Sequence, residues 1–467
     1  MAHVAVIGGG VGGLATALLT ARHGHTVELF ERDTRAPGTA LDRDFFGWHR
    51  PTVPQATQPH VLLGAARTLL RDELPDVYAE MLRLGARERH ELDWFDVRPP
   101  ARPGDEDLVM LQARRILLES ALLTALRAEE GAVLRHGEPV TGLTAEPGAQ
   151  AEAGPVRVTG VATKAGPYAA DLVVDAAGRR GGTERWLAEA GCRPPVVERH
   201  RTGLAYFCRW YRLPDGMQEG PRCPWAVTGG PFAGCAVFPA DNRVFAVTLI
   251  VHTRDSTRSA LRDPALFESA ARAFPPGEAW LGLGAEPLSD VLATASLDNR
   301  WSALVDEQGP VVAGLVPIGD AITHTNPTLG QGTSLALWAA LRVARTAGRE
   351  PGSARYAAEH HAWAVRTLKP WFDFQVVADA AIGERFATRA VRTGAARETA
   401  ALFDCALEDP EVMRARARVR HLAEPPERAY ADPEIRARVA RWLAARPGYV
   451  PNAVGPERAE WEKLTAG

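Results

Sequence analysis

Apolar residues at the start of the chain fall in a short run, Val4 to Ile7, then in an alanine- and leucine-rich segment ending near Gly24, then in a second run, Thr26 to Phe30. Short runs punctuated by glycine predict strands and the longer segment predicts a helix, so the chain opens as strand, helix, strand. Leu62, Leu63, Leu69, Leu70, Leu74, Val77, Met81 and Leu82 keep helical spacing across His60 to Gly85, interrupted at Pro75. Leu117, Leu118, Ala121, Leu122 and Ala125 predict one apolar face on a helix from Gln112 to Glu129. Ala132 to His136, Val140 to Leu143 and Val156 to Val161 read as short strands, and Leu172 to Val174 and Val311 to Ile318 as buried ones.

Between Val196 and Leu297 the pattern changes to alternating aromatic and aliphatic residues, Ala205 to Tyr211, Cys235 to Phe238 and Val244 to Val251, with a hairpin turn at Ala240-Asp241-Asn242. That alternation predicts an antiparallel sheet. Gly330-Gln331-Gly332 opens a helix running to about Gly348. From Tyr356 to Gly467 the chain reads as helices broken by Pro370, Pro410, Pro425-Pro426 and Pro433, with arginines interleaved among acids as on a solvated face. The expected fold is α/β: a Rossmann-like dinucleotide-binding domain over 1–190, with 45–110 contributing to the substrate side, and an antiparallel-sheet substrate domain over 191–297. The chain then returns to the first domain over 298–350 and ends in a C-terminal helical region over 351–467.

Composition narrows the function classes. At 467 residues the chain exceeds the roughly 250–300 at which single cores stop growing, so more than one lobe is expected. A net charge of -3 gives no reason to invoke nucleic acid as partner. Cys192, Cys208, Cys223, Cys235 and Cys405 form no CxxC pair, which argues for reduced thiols and against a redox-active disulfide. No run of about 18 apolar residues predicts a membrane span, and no Lys or Arg precedes the first apolar run as in a signal peptide, so the cytoplasm is the expected location. No metal-spaced cluster stands out; His360 and His361 are adjacent on a helix and point about 100° apart.

The chemistry starts at Gly8-x-Gly10-x-x-Gly13, with Gly12 beside it. Gly8 permits the tight turn out of the strand, Gly10 lets backbone approach a pyrophosphate, and Gly13 lets helix and strand pack closely. Glu31 ends the second strand about 20 residues on, where an acid reaches ribose hydroxyls. Arg114 and Arg115 stand at a helix start, against the helix dipole, as if placed for an anion. Asp175 follows a buried strand at the sheet's carboxyl end, where open sheets bind ligands, and Asp320 follows another.

Three separated pieces, GGGVGGLATALL with Glu31-Arg32, DLVVDAAGR and IGDAITHTNPTLGQG, resemble in order the motifs of FAD-dependent monooxygenases of the para-hydroxybenzoate hydroxylase type. VPQATQPHVLLGAARTLLRDELPDVYAEML is similar to a bacterial branch of biosynthetic-cluster oxidoreductases and epoxidases that includes the polyether polyene epoxidases. The resemblance spans roughly residues 1 to 350. It implies that Asp320 meets a ribityl hydroxyl, that Arg115 lies near the ribityl-pyrophosphate, that Val140 touches adenine, and that Pro327, Gly330, Gln331 and Gly332 flank the isoalloxazine. It further implies non-covalent FAD, electrons from NAD(P)H or a partner flavin reductase, and a flavin C4a-hydroperoxide that hydroxylates or epoxidises an apolar aromatic or alkene natural-product intermediate. His60, Tyr206, Trp210, Trp225, Phe238, His324 and Asn326 are the candidate substrate contacts.

The sequence departs from the family's second motif at Arg179-Arg180-Gly181-Gly182. No second GxGxxG follows as in disulfide reductases, and no WxWxIP run as in tryptophan halogenases. A reductase or dehydrogenase, a halogenase, and a non-catalytic flavin-binding protein remain the alternatives on the same fold. A halogenase requires a lysine reaching the flavin, and Lys164 is the only lysine before Lys369.

Overall fold

The computed structural model describes residues 1–466 apart from 49, 51–52, 147–153, 222–227, 296, 390–393 and 452–453. Strands β1 (His3–Ile7), β2 (Thr26–Glu31), β3 (Ala132–His136), β4 (Leu172–Asp175) and β5 (Leu315–Pro317) form a parallel sheet in the order β5-β4-β1-β2-β3. The central strand is apolar on both faces because both are covered. Val4 and Val6 share a core with α1 (Val11–Arg22), α2 (Arg115–Arg127) and α3 (Gly332–Thr346), whereas Ala5 and Ile7 pack with Val158 and Val161 of a small mixed sheet. The turn from β1 into α1 rests on two glycines. Gly8 sits at φ +101, and a Cβ on Gly13 would lie 1.8 Å from the Gly8 carbonyl oxygen.

Three local expectations change. The apolar run 311–318 is two strands: Val312–Ala313 pairs with Val156 and Arg157 of the small sheet, and β5 pairs with β4. The switch falls at Gly314, whose φ is +72 and whose Cβ would lie 2.1 Å from the Val158 carbonyl oxygen. The 60–85 segment starts with a strand, Val61–Leu62, paired to Val109–Gln112, before the helices Gly64–Glu73 and Pro75–Arg83. Gln112 is therefore strand, and the helix after it begins at Arg115.

In the second lobe, strands Ala233–Pro239, Val244–His252 and Leu204–Arg212 lie side by side and antiparallel. Their two-residue period sorts the side chains. Ala205, Phe207 and Tyr211 join Phe245, Val247 and Leu249 in one core with the helices Pro264–Arg272 and Pro275–Leu281. Tyr206, Phe238, Thr248 and Ile250 face the other way, toward the cavity described below.

The C-terminal region contains α4 (Lys369–Thr388), α5 (Gly394–Cys405) and α6 (Pro410–Arg420). Its prolines start helices: Pro370 and Pro410 occupy first turns, as do Pro426 and Pro433 in the short helices that follow. The region docks on the substrate side of the first domain, where the Gly64 N–H donates to His421 Nδ1 at 2.6 Å and Arg414 pairs with Asp105 at 3.0 Å. Arg414 and Arg416 are buried, so the solvated face expected here is corrected for α6. Among the described residues no helix is long and apolar enough to cross a membrane.

Candidate functional site

A cavity of about 1270 Å³ opens beyond the carboxyl ends of β1, β2, β4 and β5. Glu31 and Asp320 both line it, with Gly8, Gly10, Gly12, Arg32, Arg115, Val140, Pro327, Gly330, Gln331 and Gly332. Two helices begin at its wall without a side-chain cap, α1 after Gly10 and α3 after Gln331. Their first amides need acceptors from elsewhere. Arg115 stands beside Gly10, a Cβ on which would meet its Nη2 at 3.5 Å, and its Nε donates to Glu119 at 2.8 Å. Arg114 is different: it is fully buried and its guanidinium meets Asp241 and Asp42, so the anion it serves is internal.

Glu31 also braces the turn it faces, accepting from the Gly9 N–H at 2.6 Å and the Asp33 N–H at 2.8 Å. Gln331 is the most direct mark of a missing partner: its side chain is 1% exposed, and neither amide atom has a hydrogen-bond partner. A buried unpaired amide costs about 1–3 kcal/mol unless a ligand or water supplies its bonds. A long, phosphate-bearing molecule fits this donor set of two uncapped helix starts, one guanidinium and an orphaned amide. The volume exceeds the roughly 300–1,000 Å³ of ordinary ligand pockets, leaving space for a second molecule.

The candidate substrate residues divide. His60, Tyr206, Phe238 and His324 line the cavity. His60 Nδ1 bonds the Gln58 carbonyl at 2.8 Å, and burial, reinforced by the Arg115 charge, pushes its pKa down to about 4, so it is neutral at physiological pH. Trp210 does not line it: its Nε1–H donates to the Thr57 carbonyl at 2.8 Å and Phe45 packs edge-on 5.1 Å away, so it anchors Phe45 and Thr57. Asn326 also lies behind the wall, fully buried, with Nδ2 donating to Asp379 at 2.9 Å and to Tyr206 Oη at 2.7 Å. Asp379 accepts further bonds from Asn299 at 2.7 Å and Gln375 at 2.9 Å, so this carboxyl ties α4 to the turn before α3. Asp175 is a third residue behind the wall, its carboxyl accepting from the Ala177 N–H at 3.0 Å while burial raises its pKa. Gly13 likewise packs under the turn and does not line the cavity. Trp225 lies outside the described residues.

Sequence reading missed the wall contributed by the last third of the chain. Phe374, Val377, Ala378, Ala381, Ile382 and Arg385 follow one another at helical spacing on α4, and all line the cavity. Val377 is nonetheless 67% exposed, so α4 runs along an opening. Thr399 and Phe403 of α5, Arg416 and Arg420 of α6, and Tyr430 complete this wall. The signal was present as a stripe at i, i+3, i+4, i+7, i+8 and i+11. Among the described residues no lysine lines the cavity: Lys164 is exposed, Lys369 pairs with Glu198 and Asp373, and Lys463 is on the last helix.

Residues 6–72 match the family model of the NAD(P)-binding Rossmann-like domain. The chain is 26% identical over 413 residues to Protein Rv3254 of Mycobacterium tuberculosis, covering 81% of this chain and 80% of that one. Among solved structures it is similar to PqsL, a probable FAD-dependent monooxygenase of Pseudomonas aeruginosa, at 18% identity and a TM-score of 0.59, covering 83% of this chain and 99% of that one. It is also similar to CmlS, a flavin-dependent halogenase, at 18% identity and a TM-score of 0.58, covering 96% of this chain and 78% of that one. The parallel sheet with its glycine turn, the antiparallel lobe and the helical tail together make a fold shared with these two solved flavin-dependent proteins.

Proposed function

We propose that this chain is an FAD-dependent monooxygenase that hydroxylates or epoxidises an apolar aromatic or alkene small molecule, with electrons from NAD(P)H or a partner flavin reductase. The observation that carries the reading is that Glu31, Arg115, Asp320 and the uncapped starts of α1 and α3 open on one cavity that continues between Tyr206, Phe238, Ile250 and the apolar stripe of α4. Bound there, FAD supplies two-electron redox chemistry and the activation of molecular oxygen. The chain's residues do the rest. Glu31 and Asp320 hold hydroxyls of the ribose and ribityl groups, and Arg115 with the α1 amides holds the phosphates. Gln331 and the first amides of α3 would offer hydrogen-bond donors to negative charge on the isoalloxazine. Tyr206, Phe238 and Ile250 exclude water and shape the substrate chamber, while neutral His60 offers a hydrogen bond without charge.

Absence of a lysine from the described cavity wall favours oxygen transfer over halogenation. The test is an absorption spectrum of the purified protein followed by NAD(P)H oxidation with and without oxygen, and with and without a flavin reductase. Flavin bands and oxygen-dependent, substrate-stimulated turnover are expected. Colourless protein that ignores added FAD overturns the reading, and turnover unchanged under anaerobic conditions assigns a reductase instead.

A further inference from the structure

Three polar side chains of the cavity wall have their hydrogens committed elsewhere. His60 and His324 each set Nδ1 against a backbone carbonyl, that of Gln58 at 2.8 Å and that of Asp298 at 2.8 Å. A carbonyl only accepts, so in the neutral ring the hydrogen sits on Nδ1 and Nε2 is left as a bare lone pair. Burial, reinforced by the Arg115 charge, keeps the His60 ring neutral. Tyr206 reaches the same condition by another route. Its hydroxyl hydrogen has two acceptors behind the wall, Asn326 Oδ1 at 3.0 Å and Thr328 Oγ1 at 2.9 Å, while its oxygen accepts from Asn326 Nδ2 at 2.7 Å. One lone pair remains for the chamber.

The three belong to one neighbourhood. Gln58 Nε2 donates to Thr294 Oγ1 at 3.2 Å, and Thr294 lies opposite Tyr206 across two paired strands, so the loop carrying His60 is joined to the strand carrying Tyr206. His324 stands two residues before Asn326, which holds the Tyr206 hydroxyl. Neither imidazole Nε2 has a partner among the described residues. Thr248, Thr294 and Gln55, also on the wall, can turn either kind of group inward, so they match ligands of either polarity. The arginines that line the cavity come from the nucleotide-binding domain and from the helical wall. Around Tyr206 the polarity that is fixed is that of an acceptor, and a buried acceptor that meets an apolar ligand loses its bond to water.

We propose that the substrate brings a hydroxyl or N–H hydrogen to this place, and that Tyr206, His60 and His324 are the acceptors that select and orient it on an otherwise apolar body. This rests on reading the cavity as a substrate chamber beside FAD, and it names a group the substrate must carry. An ether or ketone of the same shape would set lone pair against lone pair.

Indole and benzofuran share one shape and differ at one position, N–H in the first and a bare oxygen in the second. Ligand-observed NMR titration of the FAD-loaded protein should show indole binding at least about five-fold more tightly, the low end of what stranding a buried acceptor costs. Tyr206→Phe, His60→Leu and His324→Leu combined should bring the two probes within about two-fold. If the combined variant does not fold, the single variants are read, and at least one must lower the ratio several-fold. Equal affinities, a preference for benzofuran, no binding of either probe, or an indole preference that survives these substitutions overturns the proposal. FAD-loaded protein without the preference removes only the acceptor site, whereas protein that takes up no FAD yet prefers indole removes the flavoenzyme reading and keeps the site.

Discussion

Gly12 and Gly13 are adjacent in the first turn of α1, and the same substitution at each should act with opposite sign. A Cβ at Gly13 would lie 1.8 Å from the Gly8 carbonyl oxygen and 3.4 Å from Ala176 Cβ. Opening the first distance to a close carbon–oxygen contact of about 3.3 Å moves helix from strand by about 1.5 Å. The atom in the way is backbone, so no side chain can swing aside. Overpacking of this kind costs about 3 kcal/mol at the upper end, offset by about 1 kcal/mol from alanine's helix preference, a net loss near 2 kcal/mol. At Gly12 the Cβ would meet Ala336 Cβ at 3.6 Å and Ile318 Cδ1 at 3.7 Å, which is ordinary contact. There alanine keeps its propensity gain, up to about 1 kcal/mol. Melting of FAD-free protein measures both variants: Gly13→Ala should fall roughly 3 °C or more below the parent, and Gly12→Ala should match or exceed it. Because Gly12 lines the cavity, Gly12→Ala should lose FAD affinity despite its stability. A Gly13→Ala protein that melts at or above the parent refutes the packing argument.

Asp241→Asn breaks the fully buried pair with Arg114 and should destabilise by about 3–5 kcal/mol, read by urea denaturation. Asp379→Ala strands the amides of Asn299, Asn326 and Gln375, so flavin should dissociate faster on dilution and stability should fall by about 3 kcal/mol. Burial lowers the pKa of His60 and His360 to about 4 and also lowers that of His421. Since the unfolded chain takes up protons there first, their contribution to stability is present above pH 6.5 and is lost as pH falls toward 4. A melting temperature that stays flat between pH 7 and 4.5 would contradict this, and His60→Gln should shallow the slope.

The nucleotide side of the site was legible because its constraints are local. A glycine turn, a helix start and an acid at a strand end sit within a few tens of residues, and Gly8, Gly10 and Glu31 all line the cavity. The other side depends on long-range packing. Tyr206 and Trp210 share one face of one strand, and only the docking of Phe45 and Thr57 decides that Trp210 is covered while Tyr206 is not. The arginines of α6 resembled a solvated face because their acids lie far away in sequence, Asp105 being 309 residues from Arg414 and Glu91 being 329 from Arg420. Asn326 looked like a polar anchor in a motif, yet its amide is spent on Asp379, a carboxyl on a helix the motif does not include.

The cradle of glycines and the wall of α4 to α6 come from opposite ends of the chain and meet only across an open space. Inheritance can therefore act on them separately. Replacing the last hundred or so residues by another tail that still answers Gly64 and Asp105 would alter which guests are admitted while leaving the glycine cradle untouched.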